Sequence, residues 1–283
     1  MDILAQLQLL EDLTNSEKTL ANYIINNAHN IPNMSSQEIC EGAFVSVSTI
    51  YRLITKLELS GINDLKVKIA KSKGSNTTAS RIDFNFPIVP TDHISDLSDN
   101  LKNLYEETLS STRALFNKEV LLEVSKEMLK ANRITLFTSS SNVYFAQNFQ
   151  FQMQEIGVYV DVPSEDYMMR LAASNSSADD LAIVISFGGR GKTTREVVKI
   201  LKANKTKIVL ITSTQDNPLK EIADYHIFMT SFEDHYQKVS SFSSRLSLLY
   251  ILDMLYSIYF TENYEQNVHN KLQSYRKMEP SLE

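Results

Sequence analysis

The 283 residues are 43% hydrophobic and 22% charged, enough apolar surface for a core in one large or two smaller domains, and too much for a disordered tail. A net charge of −6 excludes a protein that coats nucleic acid indiscriminately, but a small basic domain can hide inside such a sum. One cysteine, Cys40, makes neither an internal disulfide nor a zinc site, so a reducing cytoplasm and a small buried hydrophobe are expected. The opening MDILAQLQLLEDL lacks the basic region and cleavage site of a signal peptide. The longest apolar run, 246–260, is short for a bilayer span and is interrupted by Ser247, Asp253 and Ser257. A soluble cytoplasmic protein with no membrane segment is the expectation.

Along the chain, Thr14 and Glu17 form a capping box before a helix whose Leu20, Tyr23, Ile24 and Ala28 share a face. Ile31-Pro32-Asn33 breaks the chain. Ser35 and Glu38 form a second capping box, opening a short helix with Ile39 and Ala43 inward and Gly42 as the expected turn. Ser46 is placed to cap a helix numbered from Val47, in which Ile50, Leu53, Ile54 and Leu57 fall at i, i+3, i+4 and i+7. Its opposite face carries Ser48, Thr49, Arg52, Thr55 and Lys56, with Tyr51 on the shoulder. Hydroxyls and cations of this kind bond phosphates and base edges in a major groove. A further helix places Ile62, Leu65 and Ile69 inward and Lys66 and Lys73 outward. Residues 51–73 hold six basic side chains against two acidic ones, which puts local positive charge where a groove-binding helix needs it. The pattern fits a helix-turn-helix unit or an ordinary helical hairpin in a core.

The residues Leu13-Thr14-x-Ser16-Glu17-Lys18, Met34-Ser35, Val45-Ser46-x-Ser48-Thr49-Ile50-x-Arg52, Lys56-Leu57 and Leu65-Lys66 resemble the N-terminal domain of RpiR-family bacterial transcriptional regulators. Glu58 and Ile62 stand where that family more often has glycine and an aromatic residue. The resemblance implies double-stranded DNA as partner. Ser46, Ser48, Thr49, Tyr51, Arg52 and Lys56 are expected to line the groove, with Ser36, Gln37 and Lys66 nearer the phosphates.

The small polar residues 73–80 read as a linker, kept extended afterwards by Pro87 and Pro90. Residues 93–132 read as one long helical region. From Arg133 onward strands and helices alternate. Strands are predicted at 134–137, 158–160, 181–185, 207–211 and 225–229, and helices at 142–156, around Met169 and Leu171, at 196–203 and at 219–223. Near-continuous apolar runs such as LAIVI mark strands covered on both faces, hence a parallel α/β sandwich. Residues 246–260 are apolar nearly all round and predict a helix buried in the domain or in a dimer interface. The predicted division is a helix-turn-helix domain over 1–73, a linker over 74–92 and an α/β domain over 93–283.

This second half resembles the sugar isomerase (SIS) domain that follows the DNA-binding domain in RpiR-family regulators, on Ile185-Ser186-x-x-Gly189, Ile211-Thr212, Ala223-Asp224 and Ser244-Arg245 with Leu252-Asp253. The predicted fold is therefore an all-α N-terminal domain plus a three-layer α/β domain with a parallel sheet. Two strand-end loops, Thr138-Ser139-Ser140-Ser141-Asn142 and Ser186-Phe187-Gly188-Gly189-Arg190-Gly191-Lys192-Thr193-Thr194, each lead into a helix N-terminus, where free amides favour an anion. The resemblance implies that these loops hold the phosphate of a sugar phosphate. The first departs from the family's Gly-x-Gly followed by Ser, with Thr138, Ser140 and Asn142 there. The second has Gly188 at the second Ser and Gly191 at the Thr of Ser-x-Ser-Gly-x-Thr, unless a small shift brings Thr193 or Thr194 into that role. Arg190 and Lys192 add cations. An anionic effector site and a plain dimerisation scaffold both remain open.

Other chemistries fit less well. Gly191-Lys192-Thr193 resembles the end of a P-loop, but Ser186 stands where its first glycine belongs and no strand-end Asp for magnesium follows. Isomerisation would need a general base, for which Glu233 and His235 are the candidates, and five histidines show no metal spacing. The expectation is a non-enzymatic, cofactor-free regulator that acts as a homodimer or homotetramer, because one recognition helix reads few base pairs.

Overall fold

The computed structural model describes residues 3–10, 12–28, 30–72, 83–90, 92–215, 217–230 and 232–279. The expected linker at 73–80, with Lys73, lies outside them. The chain divides into two compact units, residues 1–104 and 105–283.

The first unit is helical: α1 (Ile3–Leu9), α2 (Asn15–Asn26), a 3-10 turn (Ile31–Asn33), α3 (Ser36–Ala43), α4 (Val47–Lys56) and α5 (Ile62–Ser72). Both predicted capping boxes form. The Thr14 hydroxyl accepts from the Glu17 amide while the Thr14 amide donates to the Glu17 carboxylate, and Ser35 and Glu38 do the same. Leu20, Ile24, Ile39, Ala43, Ile50, Leu53, Ile54, Leu65 and Ile69 meet in one core, so the inward faces were read correctly. Cys40 is buried among them, and that burial raises its thiol pKa. Gly42 is not the turn. It lies inside α3, where a Cβ would sit 2.0 Å from the Tyr23 hydroxyl, so it is small in order to admit a ring. Phe44 makes the turn instead, at φ +54°.

α6 (Ile94–Ala114) and α7 (Lys118–Lys130) replace the single helical region expected at 93–132. Asn117 ends the continuity: its side chain accepts from the Glu119 and Val120 amides and restarts the helix. The division between the two units falls within α6.

In the second unit β1 (Ile134–Phe137), α8 (Asn142–Glu155), β2 (Val160–Asp161), α9 (Asp166–Ser174), β3 (Leu181–Ile185), α10 (Lys192–Ala203), β4 (Lys207–Ser213) and β5 (Tyr225–Met229) build a parallel sheet of order β2-β1-β3-β4-β5. The strand expected at 158–160 shifts to Val160 and Asp161, α10 starts four residues before the expected 196, and 219–223 forms turns where a helix was expected. Side chains alternate across the sheet. Leu181, Ile183, Ile185, Val209 and Ile211 join a core with α7, α8 and α11 (Phe242–Glu262), whereas Ala182, Val184, Ile208 and Leu210 join one with α9 and α10. The three-layer sandwich is therefore present.

The apolar run at 246–260 belongs to α11, which packs on α7, α8 and β5 within its own unit. Of the two expected roles, burial in the domain is realised. The first turns of α11 meet α6 through paired hydroxyls, Thr108 to Ser243 and Thr112 to Ser247, each 2.9 Å apart and fully buried. α12 (Tyr264–Met278), which the sequence reading missed, closes the chain.

Candidate nucleic-acid interface and effector site

α3 and α4, joined by Phe44–Ser46, form a helix-turn-helix. The apolar face of α4 (Ile50, Leu53, Ile54) is buried to 4% exposure or less, so its other face is turned to solvent. Ser46, Ser48, Tyr51, Arg52 and Thr55 are exposed there. Ser46 occupies the N-cap position but caps no amide. Its hydroxyl pairs with the Ser48 and Thr49 hydroxyls at 2.8 and 3.0 Å. The Arg52 guanidinium lies along the helix, 3.4 Å from the Ser48 carbonyl and from the Thr49 hydroxyl.

Two expected groove residues are placed differently. Thr49 is 2% exposed and holds Ser46 and Arg52 from behind. Lys56 turns inward: its Nζ lies 2.9 Å from the Glu17 carboxylate and also donates to the Asp12 carbonyl. Glu17 is 1% exposed. The Thr14 amide first, then Lys56, hold its pKa down from 4.5 to about 2. Lys56 therefore fastens α4 to α2, a role its position on the polar face concealed. Gln37 is also engaged, donating to Glu41 at 3.1 Å, and Lys68 lies 3.9 Å from Asp64. Ser36 and Lys66 are half-buried. Of the positive charge counted in the sequence, Lys56 is thus held by a buried carboxylate, Arg52 is exposed on α4, and Lys66 and Lys68 lie on α5, half-buried and exposed.

In the second unit the sheet order places β1 beside β3, with β2 on one side and β4 and β5 on the other. The connections diverge between β1 and β3, the crevice where ligands bind in open parallel sheets. Both predicted loops end there, and the Thr138 hydroxyl donates across it to the Ile185 carbonyl at 3.2 Å. Thr138 is buried, Ser139, Ser140 and Ser141 are exposed and Asn142 is half-buried at the start of α8. Ser140 has φ +57°.

In the second loop Ser186 accepts from the Gly189 amide at 3.2 Å. Gly189 has φ +63°, and a Cβ there would lie 1.8 Å from Asn217 Oδ1. Buried Asn217 in turn donates to Thr212 Oγ1 and accepts from the Leu219 amide. Asn217 supports the loop from 28 residues away, which no local pattern could signal. Arg190, Gly191 and Lys192 are exposed at the start of α10 and Gly188 is half-buried. Lys192 lies 3.9 Å from Glu196 and extends into solvent. Neither threonine proposed as a substitute hydroxyl is placed like a free ligand: Thr193 donates to Asp166 at 2.8 Å, and Thr194 is buried. The exposed groups of the two loops are thus Ser139, Ser140 and Ser141 in the first and Arg190, Gly191 and Lys192 in the second.

The two candidate general bases differ in setting. Glu233 is 1% exposed, accepts from the Ser243 amide and the Ser244 hydroxyl at the start of α11, and is paired with Lys238 at 3.1 Å. His235 stands edge-on to Tyr236. Among the described residues no cluster of His, Cys, Asp and Glu could hold a metal ion, and no helix is long and apolar enough to cross a membrane.

Comparison with known proteins follows the same division. Residues 1–76 match the helix-turn-helix domain of the rpiR family, and residues 127–258 match the SIS domain. An uncharacterized HTH-type transcriptional regulator of Clostridium perfringens is 27% identical over 275 residues, covering 97% of this chain and 98% of the relative. Among solved structures, the Vibrio vulnificus NanR protein complexed with ManNAc-6P superposes over 98% of both chains with a TM-score of 0.61 at 17% identity. The sugar isomerase domain of an RpiR transcription factor from Sphaerobacter thermophilus covers 64% of this chain and 98% of its own, with a TM-score of 0.57 at 14% identity. These two likenesses concern the fold. The chain is therefore a helix-turn-helix transcriptional regulator built from an rpiR-family helix-turn-helix domain followed by a SIS domain.

Proposed function

We infer that this regulator works as a one-component sensor in the cytoplasm. α4 enters the major groove of a double-stranded operator, and the crevice between β1 and β3 takes a phosphorylated sugar. The observation that carries the effector reading is the convergence of the 138–142 and 186–191 loops on one switch point, each opening a helix whose N-terminal amides and dipole favour an anion. Lys192 and Arg190 supply the attraction, and charge-assisted contacts from a mobile lysine are strong but orient loosely. Affinity should consequently fall as salt rises. The ManNAc-6P held by the Vibrio vulnificus NanR protein makes an amino-sugar phosphate the first ligand to test.

The engagement of Glu233 with Ser243, Ser244 and Lys238 supports sensing over isomerisation, because a base already spent on three donors is poorly placed to take a substrate proton. A regulator of this kind is expected to bind DNA as a homodimer or homotetramer, since paired half-sites supply the specificity that one helix lacks. The ligand regulates by binding the DNA-competent and incompetent states unequally. The test is calorimetry with ManNAc-6P and a panel of hexose, amino-sugar and pentose phosphates, on wild type and on Lys192→Ala with Ser140→Ala. Binding that is lost in the double variant is expected. Failure of every phosphate to bind wild type at millimolar concentration would leave the SIS domain as a dimerisation scaffold, and binding that survives both substitutions would move the site elsewhere.

A further inference from the structure

The turn between α3 and α4 holds a side chain that the fold does not use. Phe44 has φ +54°, in the left-handed region where a Cβ is penalised and glycine commonly ends a helix. Its amide donates to the Glu41 carbonyl at 3.2 Å and the Val45 amide to the Cys40 carbonyl at 3.0 Å, so the backbone closes α3 as a glycine-ended cap would. The ring adds nothing to that closure. It is 95% exposed, whereas Ala43 before it is buried and Val45 after it is half-buried.

Phenylalanine here is unfavourable twice, through its backbone conformation and through apolar surface left in water. Glu58, just past the other end of α4, also has φ +54°, but its charged side chain is at home in solvent. The contrast isolates the ring of Phe44 as the feature without an internal explanation. Strained residues of this kind persist where the strain serves a purpose outside the core.

The position of the ring says what it meets. Phe44 lies two residues before Ser46, the N-cap of α4, and groove-reading helices contact bases with their N-terminal residues. Val47 and Tyr51, one turn apart on α4, are 45% and 55% exposed, beside exposed Ser48 and Arg52. A reading surface thus carries apolar groups that hydroxyls and cations do not need. In the major groove the apolar group offered by a base pair is the thymine C5-methyl. We propose that Phe44 is a specificity-determining residue that packs on a thymine methyl at the base step met by the N-terminal end of α4. This rests on the reading of α4 as the DNA-contacting helix.

The probe is the duplex recovered by full-length protein from a randomised 30-bp library, remade with each thymine in turn replaced by deoxyuridine, which removes the methyl alone. Wild type is expected to bind one or two of these duplexes about 3- to 10-fold more weakly. Phe44→Gly and Phe44→Ala should bind the thymine and uracil forms alike. Only Phe44→Gly should also raise the melting temperature, by several degrees, because it alone relieves the left-handed strain. Equal binding of all uracil duplexes by wild type would overturn the proposal. So would undiminished discrimination in Phe44→Gly, the outcome expected if the ring serves a protein partner. Recovery of no enriched duplex would instead overturn the DNA-contact reading of α4, and this inference with it.

Discussion

Replacing Lys56 by Met tests whether this cation serves the fold or the DNA. The substitution keeps the aliphatic stem and removes the charge that faces Glu17 at 2.9 Å. The drop of the Glu17 pKa from 4.5 to about 2 is equivalent to about 3 kcal/mol at full strength. The Thr14 amide is its largest cause and remains in the variant. The Lys56 side chain is 34% exposed, so water screens its share, and Lys56→Met should cost about 1–2 kcal/mol.

The sign of the pH dependence follows from a carboxylate whose folded pKa lies below its unfolded value. Its contribution is complete above about pH 4.5 and disappears as pH falls toward 2. The penalty of Lys56→Met should therefore be full at pH 7 and reduced to about half at pH 2.5. Urea unfolding of the full chain, read by hydrogen exchange at the amides of α2 and α4, measures it. An unchanged stability at pH 7, or an equal loss at both pH values, would refute the structural role and return Lys56 to the groove.

Other outcomes follow from the same geometry. Arg52→Ala should weaken operator binding by about 1–3 kcal/mol and relax preference at one base pair, whereas Lys66→Ala should weaken all sequences alike and lower the salt slope by about 1, both measured by fluorescence anisotropy at several salt concentrations. Gly189→Ala forces a Cβ into Asn217 at a left-handed φ. It should cost about 2–3 kcal/mol in urea unfolding and abolish phosphate binding in calorimetry. Wild-type behaviour there would show that the loop moves freely. Ser247→Ala removes the hydroxyl that the Thr230 amide and Thr112 share and should lower stability by about 1–2 kcal/mol. Sedimentation of the full chain at micromolar concentration should give a dimer or tetramer, and a monomer would contradict the paired-half-site reading.

Local pattern was sufficient wherever one helix or strand decides its own state. The two capping boxes, the inward faces of α2 to α5 and the apolar strands β1, β3, β4 and β5 could be read directly, because caps and 3.6- or 2-residue periods act between near neighbours. Both strand-end loops were legible for the same reason, being runs of small hydroxyl and glycine residues between a buried strand and a helix. Contacts distant in sequence were not legible. Nothing near Lys56 announces Glu17, 39 residues earlier, and nothing near Gly189 announces Asn217. A polar residue on a helix's outer face looks the same whether it awaits DNA or a buried carboxylate, and packing alone separates the two, as it did for Thr49. Gly42 was read as a turn because glycine permits one, while the fold used its missing Cβ to seat Tyr23 and gave the turn to Phe44. The sequence determined most of the elements and the two domain types. The tertiary structure decided which polar groups are spent holding those elements together and which remain free to meet a ligand, because that depends on distances between segments that the chain order does not contain.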